Sequence, residues 1–244
     1  MKGVVLAGGL GRRFDPVTRV VNKHLLDVFD QPMIYFPIRT LVKAGITDVT
    51  VVTGKEINQF RELLGDGHEL GAEIRYAVQD GELGISHALL QTEELVAGGR
   101  VVVILGDNIY QTDISAFVRR YEEQQTGAFV LLKEVGTEDA KRFAVAEVVE
   151  GKVVDIVEKP QEPKSDLVVT GCYMFDDRVF DFIRTLRPSE RNEYEVTDLL
   201  NIYVREGTLH HDVLAGWWTD AGTPPSKLKA SILVALQKGV TFHR

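Results

Sequence analysis

The sequence of 244 residues contains a single cysteine, Cys172. One cysteine cannot form an intramolecular disulfide, and it cannot build a metal site from several thiolates. Long apolar runs are also missing: no stretch approaches the ~20 residues that a membrane span requires. The apolar run in the amino-terminal MKGVVLAGG is too short for a signal peptide. We therefore expect a cytoplasmic protein with no membrane partner.

Basic residues are scarce relative to acidic ones. The chain has 28 Lys and Arg against 36 Asp and Glu, which gives a formal net charge of -8. A general nucleic-acid binder holds the phosphate backbone with many Lys and Arg spread over a broad surface. The charge balance therefore argues against a nucleic-acid partner, and any site for an anion must be local. The 44% of hydrophobic residues can fill a substantial core.

The first half of the chain alternates two kinds of segment. Short apolar runs rich in valine and isoleucine start at Gly3, Asp48, Ile74 and Arg100, and helical spacing is found in 33–42, 57–64 and 85–96. Alternating strands and helices indicate right-handed βαβ crossovers, and continuously apolar strands indicate a sheet covered on both faces. The sequence predicts an α/β fold with a Rossmann-like, open, mostly parallel sheet flanked by helices.

The second half changes character after about Thr126. The segments AFVLLKEV, FAVAEVVEGKVVDIVEKP and LVVTGCYMF follow one another with little helix between them, and VEGKV around Gly151 is typical of a hairpin turn. Antiparallel strands are expected here, and then helices from about Asp177, over 194–205 and over 225–237. Because no linker separates the halves, we expect one domain over residues 1–244 with an inserted antiparallel portion.

A glycine-rich segment follows the first predicted strand. LAGGLGRRFDPVTRVVNKHLL contains Gly8, Gly9 and Gly11, and then the cations Arg12, Arg13 and Lys23. Glycines let backbone N–H groups approach a ligand, and arginine and lysine match phosphate oxygens. A nicotinamide fingerprint fails because a phenylalanine stands at the third glycine position, and the P-loop pattern is absent. A local polyanion site remains, with a flexible turn carrying solvated cations as the alternative.

Two aspartates follow apolar segments. Asp107 comes just after the run 101–105, so its carboxylate should lie at the carboxyl end of a strand, where open α/β sheets bind ligands. Asp220 in WWTDAGT has a similar place, although an aspartate before Ala-Gly is an ordinary turn residue. A turn or a helix cap is the structural alternative for Asp107 as well.

These motifs together resemble the signature of the sugar-nucleotide pyrophosphorylases. After the glycine-rich segment, the likeness continues in order through QPMIYFPIRTLVKAGI, VILGDNIY, RFAVAEV, VEKPQEPKS, VTGCYMFD, EVTD and GWWTDAGTP, over nearly the whole chain. The resemblance implies the nucleotide-diphospho-sugar transferase fold and a homo-oligomer, either a dimer or a tetramer. It also implies an enzyme that joins a sugar 1-phosphate to the α-phosphate of a nucleoside triphosphate and releases pyrophosphate.

The same resemblance assigns roles to individual residues. Arg13 and Lys23 would be the catalytic cations, and Asp107 and Asp220 would hold one Mg²⁺. The nucleotide would be bound by Gly8, Gly9, Gly11, Arg12, Arg13, Gln79 and Gly84. The sugar phosphate would be bound by Asn108, Ala144, Glu158, Lys159, Val169 and Gly171. Glu195 and Asp198 would be structural or site-supporting residues, with no catalytic role.

The expected substrates are thymidine triphosphate (dTTP) and glucose 1-phosphate. A phosphate monoester is largely dianionic at neutral pH, with a second pKa of ~6, so its attacking oxygen needs no general base. Uridine triphosphate (UTP) or another hexose 1-phosphate is the first alternative, since one methyl group discriminates by only ~1–3 kcal/mol. A non-catalytic nucleotide-sugar-binding protein is the second.

Three places in the chain depart from the family pattern. Arg12 stands where the family usually has Ser or Thr, and Ser86 and His87 replace a usual Ala-Gln pair. Ala144 stands where a glycine normally approaches the sugar, so it adds a Cβ there. These departures make the identity of the sugar less certain than the type of reaction.

Overall fold

The computed structural model describes residues 1–96 and 98–241, and nine strands of these residues form one sheet. In chain order the strands are β1 Lys2–Ala7, β2 Asp27–Val28, β3 Gln31–Pro32, β4 Asp48–Thr53, β5 Glu73–Val78, β6 Val101–Leu105, β7 Asn108–Tyr110, β8 Ala128–Glu134, β9 Ala144–Val149, β10 Lys152–Glu158, β11 Leu167–Phe175, β12 Leu209–Val213 and β13 Trp218–Asp220. The helices are α1 Tyr35–Lys43, α2 Ile57–Leu64, α3 Ile85–Leu90, α4 Glu93–Val96, α5 Ser115–Glu123, α6 Thr137–Ala140, α7 Val179–Thr185, α8 Val196–Arg205 and α9 Pro224–Gln237.

The parallel part of the sheet has the strand order β5-β4-β1-β6. The chain steps outward from β1 to β4 and β5, and then returns to place β6 on the other side of β1. This reversal is a topological switch point, where open α/β sheets form a ligand crevice at the carboxyl ends of the strands. The loops that follow Ala7 and Leu105 leave the sheet side by side at this crevice.

The antiparallel part is built around β11. This strand pairs with β6 along Cys172–Phe175, and it also pairs with β8 and β9, so the second half of the chain continues the same sheet. Strands β9 and β10 form the predicted hairpin, in which Glu150 and Gly151 have φ of 49° and 74°. Positive φ at both central residues is typical of the type I′ turn that suits a two-residue hairpin. The predicted antiparallel insertion is confirmed.

Both faces of the sheet are covered, as the continuously apolar strands predict. Val4, Val103 and Tyr173 pack in one hydrophobic cluster, whereas Val5 and Ile104, the residues next to two of them, pack in the other. Successive side chains of a strand point to opposite faces, so each cluster fills one side of the sheet. Within the described residues, no helix combines the length and the apolar character needed to cross a membrane. The cytoplasmic location stays a prediction.

The predicted helices are mostly present, with one difference. The stretch 85–96, expected as one helix, is divided into α3 and α4 by a turn at Gln91 and Thr92. The Thr92 hydroxyl donates to the carbonyl of Leu89 at 2.7 Å, so the side chain takes a backbone acceptor that a continuous helix would use. Helices α5 and α6 were not predicted at all. The single domain over residues 1–244 also stays a prediction, and the continuous sheet supports it.

Candidate active site

A cavity of about 830 Å³ opens at the switch point between β1 and β6. Its walls include seven of the residues that the sequence singled out: Gly8, Gly9, Arg12, Lys23, Gln79, Gly84 and Asp107. These residues come from the loops after β1, β5 and β6. The carboxyl ends of three parallel strands therefore bring the predicted nucleotide residues to one place.

A two-stranded ribbon brings Asp220 beside Asp107. Strand β13 pairs with β7, with Asp220 opposite Asn108, and the N–H of Ala221 donates to the carbonyl of Asp107 at 2.8 Å. The two carboxylates flank Gly222: a Cβ there would lie 2.6 Å from Oδ1 of Asp220 and 2.9 Å from Oδ2 of Asp107. Asp107 and Asp220, 113 positions apart in the chain, thus present oxygens to a common point. A Cβ at position 222 would occupy that point, so glycine is needed there.

Lys23 lies against this carboxylate pair. Its Nζ atom is 2.6 Å from Oδ2 of Asp107, and both side chains are about 85% shielded from solvent. Gly11, with a φ of 64°, packs on the stem: a Cβ there would lie 2.9 Å from Cβ of Lys23. Glycine at this position therefore serves both the left-handed backbone and the close approach of the lysine.

The three charges at the site are mutually dependent. Burial disfavours the Lys23 ammonium, but the charge and hydrogen bond of Asp107 outweigh burial and raise the pKa of Lys23. Burial also opposes ionisation of Asp107, yet the charge of Lys23 and the hydrogen bonds from Lys23 and Asn108 lower its pKa. Burial and the neighbouring charge of Asp107 raise the pKa of Asp220 to about 6. The carboxylate of Asp220 is thus less well compensated by positive charge than that of Asp107.

This donor set fits a magnesium ion. Within residues 1–96 and 98–241, no group of three or more His, Cys, Asp or Glu side chains is placed to hold a metal. Mg²⁺ is commonly bound by only one or two carboxylates, with water and substrate phosphates completing its shell. Asp107 and Asp220 meet that requirement, because Oδ2 of Asp107 and Oδ1 of Asp220 face one point beside Gly222.

His24, next to Lys23, is fully enclosed. Its backbone N–H and its Nδ1 both contact Oδ1 of Asn22, at 3.0 and 2.8 Å, and its ring packs against Gly106. Burial, and then the charge of Lys23, lower the pKa of His24 to about 3. The ring is therefore neutral at physiological pH and serves to hold the lysine turn against the strand ends.

We expect His24 to make the protein less stable in mild acid. An unfolded histidine takes up a proton near its ordinary pKa of 6.5, whereas the folded ring stays neutral to a pKa of about 3. The free energy of unfolding should be highest above pH 6.5 and fall as the pH drops toward 3, by up to ~1.4 kcal/mol per pH unit. Urea unfolding at about pH 7.5 and about pH 5.5 measures this loss. An equal loss in the His24→Gln variant would contradict the assignment.

At the other end of the cavity, Gln79 and Gly84 lie in contact. Gln79 follows β5 and is 8% exposed, and its Nε2 donates to the carbonyl of Gly84 at 3.2 Å. Gly84 has a φ of 94°, and a Cβ there would lie 2.7 Å from the carbonyl oxygen of Tyr194. Glycine is thus required both by its conformation and by the neighbouring loop.

The two arginines of the glycine loop differ in their surroundings. Arg12 pairs with Glu82 at 2.8 Å, and Glu82 also accepts from the N–H of Leu10 at 3.1 Å. This pair joins the glycine loop to the loop that carries Gly84. Arg13 is exposed, and its guanidinium is close enough for its charge to act on both Lys23 and Asp220.

The predicted sugar residues lie at the ends of β9 and β10. Glu158 is opposite Ala144 in the strand register, and its Oε1 accepts from Lys159 at 2.8 Å and from Arg191 at 3.3 Å. Lys159 has a φ of 44°, a left-handed conformation that non-glycine residues adopt mainly in turns and at functional sites. Arg191 also lines the 830 Å³ cavity, so it connects the two groups of residues.

The other three predicted sugar residues lie deeper. Asn108 is 2% exposed, and its Oδ1 accepts from Nε1 of Trp218 at 2.7 Å and from the N–H of Gly171 at 3.1 Å. A Cβ on Gly171 would lie 2.7 Å from the Asn108 side chain, so glycine is needed there. The side chain of Val169 packs in the hydrophobic core. Asn108 also donates from its Nδ2 to Oδ1 of Asp107 at 3.0 Å, so it helps to hold that carboxylate in place.

Sequence reasoning did not assign a site role to three residues that contact the predicted ones: His24, Glu82 and Arg191. Glu82 and Arg191 reach their partners across 70 and 33 residues of chain. No local pattern could have indicated those contacts. For His24 the sequence does contain a signal: a histidine that directly follows a predicted catalytic lysine is a candidate for a buried position at the site.

The family model described as "Nucleotidyl transferase" matches residues 2–236. The chain belongs to the nucleotidyl transferase family. A relative from Neisseria meningitidis serogroup A, named glucose-1-phosphate thymidylyltransferase, is 43% identical over 96% of this chain and 82% of its own length. Members of this nucleotidyl transferase family generally use a divalent metal ion. The predicted enzyme class is confirmed.

Solved structures give the same result for the fold of this nucleotidyl transferase. A Bacillus anthracis protein solved with sucrose is 45% identical and has a TM-score of 0.92, and the match covers 100% of this chain and 98% of that one. A UDP-glucose pyrophosphorylase solved with UDP-glucose is 24% identical with a TM-score of 0.85, over 97% and 98% of the two chains. The predicted nucleotide-diphospho-sugar transferase fold is confirmed.

Proposed function

We propose that the chain is a glucose-1-phosphate thymidylyltransferase, which joins glucose 1-phosphate to the α-phosphate of dTTP and releases pyrophosphate. The observation that carries the proposal is the placement of Lys23 against Asp107 and Asp220 at the carboxyl ends of β1 and β6. The thymidylyltransferase relatives, at about 40% identity over most of the chain, support the choice of substrates.

The chemistry requires two polyanions to meet in line. The phosphate oxygen of glucose 1-phosphate attacks the α-phosphorus of dTTP, the bond between the α-phosphorus and its bridging oxygen breaks, and pyrophosphate leaves. The attacking oxygen is already deprotonated at neutral pH, so positioning and charge compensation supply the catalysis. Lys23, kept protonated by its raised pKa, would stabilise charge on the departing pyrophosphate.

Asp107 and Asp220 would hold the magnesium ion. These two carboxylates would hold the ion beside the phosphates, where it would supply positive charge. Arg13, whose charge acts on Lys23 and Asp220, would hold the triphosphate. Arg12 is engaged with Glu82, so we assign it to ordering the glycine loop, with Gly8, Gly9 and Gly11 letting backbone N–H groups approach the phosphates.

The sugar phosphate would bind between β9, β10 and the 189–195 loop. Lys159 and Arg191 supply positive charge there, and Glu158 can accept hydrogen bonds from sugar hydroxyls. Ala144 faces Glu158 across the hairpin, so its methyl group would limit the space beside the sugar. Val169 and Gly171 would contribute backbone atoms from β11.

We also propose a homo-oligomer. Helix α9 exposes an apolar stripe of Leu228, Ile232 and Leu236, which recur every four residues on one face. Exposed apolar patches of this kind are typical of protein interfaces. Size-exclusion chromatography with light scattering should give a mass above the 27.2 kDa of one chain. Ile232→Glu should reduce that mass, because it places a charge in the middle of the stripe, and an unchanged mass would place the interface elsewhere.

The function is tested by pyrophosphate release with Mg²⁺, glucose 1-phosphate and each nucleoside triphosphate in turn. We expect the highest kcat/KM with dTTP and only moderately lower values with dUTP, which differs from dTTP by one methyl group, whereas UTP differs also by a 2′-hydroxyl. A preference for UTP, or for another hexose 1-phosphate, would favour the alternative substrates. Binding of nucleotides without turnover under any condition would favour the non-catalytic alternative.

A further inference from the structure

The carboxamide of Gln79 is held in one orientation by its neighbours. Its Nε2 atom donates to the carbonyl of Gly84 at 3.2 Å and to Nδ1 of His87 at 3.4 Å. A carbonyl oxygen can only accept, so the NH₂ side of the amide must face Gly84. The backbone of Gln79 is fixed as well, since its N–H donates to the carbonyl of Thr53 at 2.8 Å.

The oxygen of the same amide therefore points to the other side. Oε1 of Gln79 lies beside the glycine loop, where a Cβ on Gly8 would be 2.9 Å away. Gly8 and Gln79 both line the cavity. The atom that Gln79 presents beside the first glycine is thus a hydrogen-bond acceptor.

His87 is held in place from two sides. Its ring stacks on Tyr194, with centroids 6.1 Å apart and planes 24° apart. Gln91, one turn further along the chain, donates from its Nε2 to the carbonyl of His87 at 3.2 Å. The loop of Tyr194 is tied to α3 by the hydrogen bond from the N–H of Ser86. Nδ1 of His87 is therefore held where, in the tautomer with its proton on Nε2, it accepts from Gln79.

We propose that His87 is a positioning residue that locks the Gln79 carboxamide and thereby selects thymine and uracil against cytosine. The proposal rests on the proposed function, since it takes Gln79 to face the pyrimidine base. His87 acts through Gln79 and need not touch the nucleotide. It stands at one of the positions where this chain departs from the usual family residue.

The selection follows from the edges of the bases. Thymine and uracil present an N3–H donor, which can bond to Oε1, whereas cytosine presents an N3 acceptor. A locked amide would place two acceptors together when cytosine enters. Binding cytosine would require the amide to flip, and the flip would break the bonds to both Gly84 and His87.

The test compares His87→Leu with His87→Gln, using dUTP and dCTP as the substrate pair. These two nucleotides differ only at the base edge that Gln79 would read. Leucine removes the acceptor, so the dUTP/dCTP ratio of kcat/KM should fall about 5- to 10-fold, the usual effect of one hydrogen bond. Glutamine can accept through its own Oε1, and the ratio should stay within about twofold of wild type.

Two internal controls separate positioning from general damage. The dTTP/dUTP ratio should not change in either variant, because thymine and uracil present the same edge. His68→Leu, at an exposed site outside the cavity, should leave all ratios unchanged. An equal loss of activity with dUTP and dCTP in His87→Leu would mean a purely structural role and would overturn the proposal, as would an unchanged ratio.

Calorimetric binding of dUTP and dCTP without sugar phosphate keeps this test independent of catalysis. If the wild type binds nucleotides but releases no pyrophosphate, the proposed function fails, and the binding ratios still decide the role of His87. If the wild type turns over normally and the ratio of binding constants is the same in His87→Leu, only the role of His87 fails.

Discussion

Asparagine in place of Asp107 should lower kcat by about 10³-fold while the fold is retained. The substitution removes a charge but keeps the shape of the side chain, and an amide oxygen can still accept the 3.0 Å hydrogen bond from Asn108. In the wild type this carboxylate pairs with Lys23, and in the proposed reaction it also helps to hold the metal ion. Losing such preorganised charge costs about 10²–10³ in rate. Steady-state pyrophosphate release measures kcat, and a thermal melt verifies folding.

Asp30→Asn is the matched control for this variant. Asp30 is exposed and pairs with Lys238 on the surface, where an ion pair contributes little. Its activity should equal that of the wild type. Asp220→Asn should behave like Asp107→Asn, because the two carboxylates flank the same point beside Gly222. Activity within about tenfold of wild type in both variants would refute the assignment of this pair.

The first half of the fold could be predicted because its signals are local. Runs such as GVVLA and VVVIL carry their own strand propensity, and α2 was predicted with the bounds that the structure has. The glycine loop and Asp107 follow directly from such strands. Since parallel strands end at one edge, the sequence could place the loop and the aspartate together without any knowledge of contacts.

The rest of the site depends on which distant segments meet. The local sequence WWTDAGT does not indicate that β13 pairs with β7, the pairing that places Asp220 beside Asp107. The partners of Arg12 and Arg191 are likewise set by the packing of loops rather than by their own neighbours in the chain. The stretch 85–96 was predicted as one helix because periodicity does not reveal where a side chain will compete for a backbone acceptor. Helix α5 was missed although its buried residues Phe117, Val118 and Tyr121 recur at helical spacing.

Methionine in place of Lys23 should lower kcat by about 10²-fold or more. Methionine keeps the length and the apolar stem of the side chain, so the contact with Gly11 survives and only the ammonium group is lost. In the proposed reaction this charge stabilises the departing pyrophosphate, an effect that is larger in the transition state than in the bound substrates. The loss should therefore fall on kcat, with a much smaller change in KM for dTTP.

The same variant should bind a divalent cation more tightly when no nucleotide is present. Lys23 neutralises Asp107 at 2.6 Å in the free protein, so it competes with the metal for the carboxylate. Removing the ammonium leaves Asp107 and Asp220 as a buried pair of like charges, which a cation relieves. Titration with Mn²⁺, followed by electron paramagnetic resonance at about pH 8, should give a several-fold lower Kd than for wild type.

Opposite changes in catalysis and metal binding distinguish this role from a structural one. A lysine that merely supported the loop would lower both when removed, because the carboxylates would lose their positions together. Lys152→Met, at an exposed site on β10, should change neither quantity. Weaker Mn²⁺ binding in Lys23→Met would mean that the lysine positions Asp107 for the metal rather than competing with the metal for that carboxylate. This result would contradict the assignment of Lys23 to the leaving pyrophosphate.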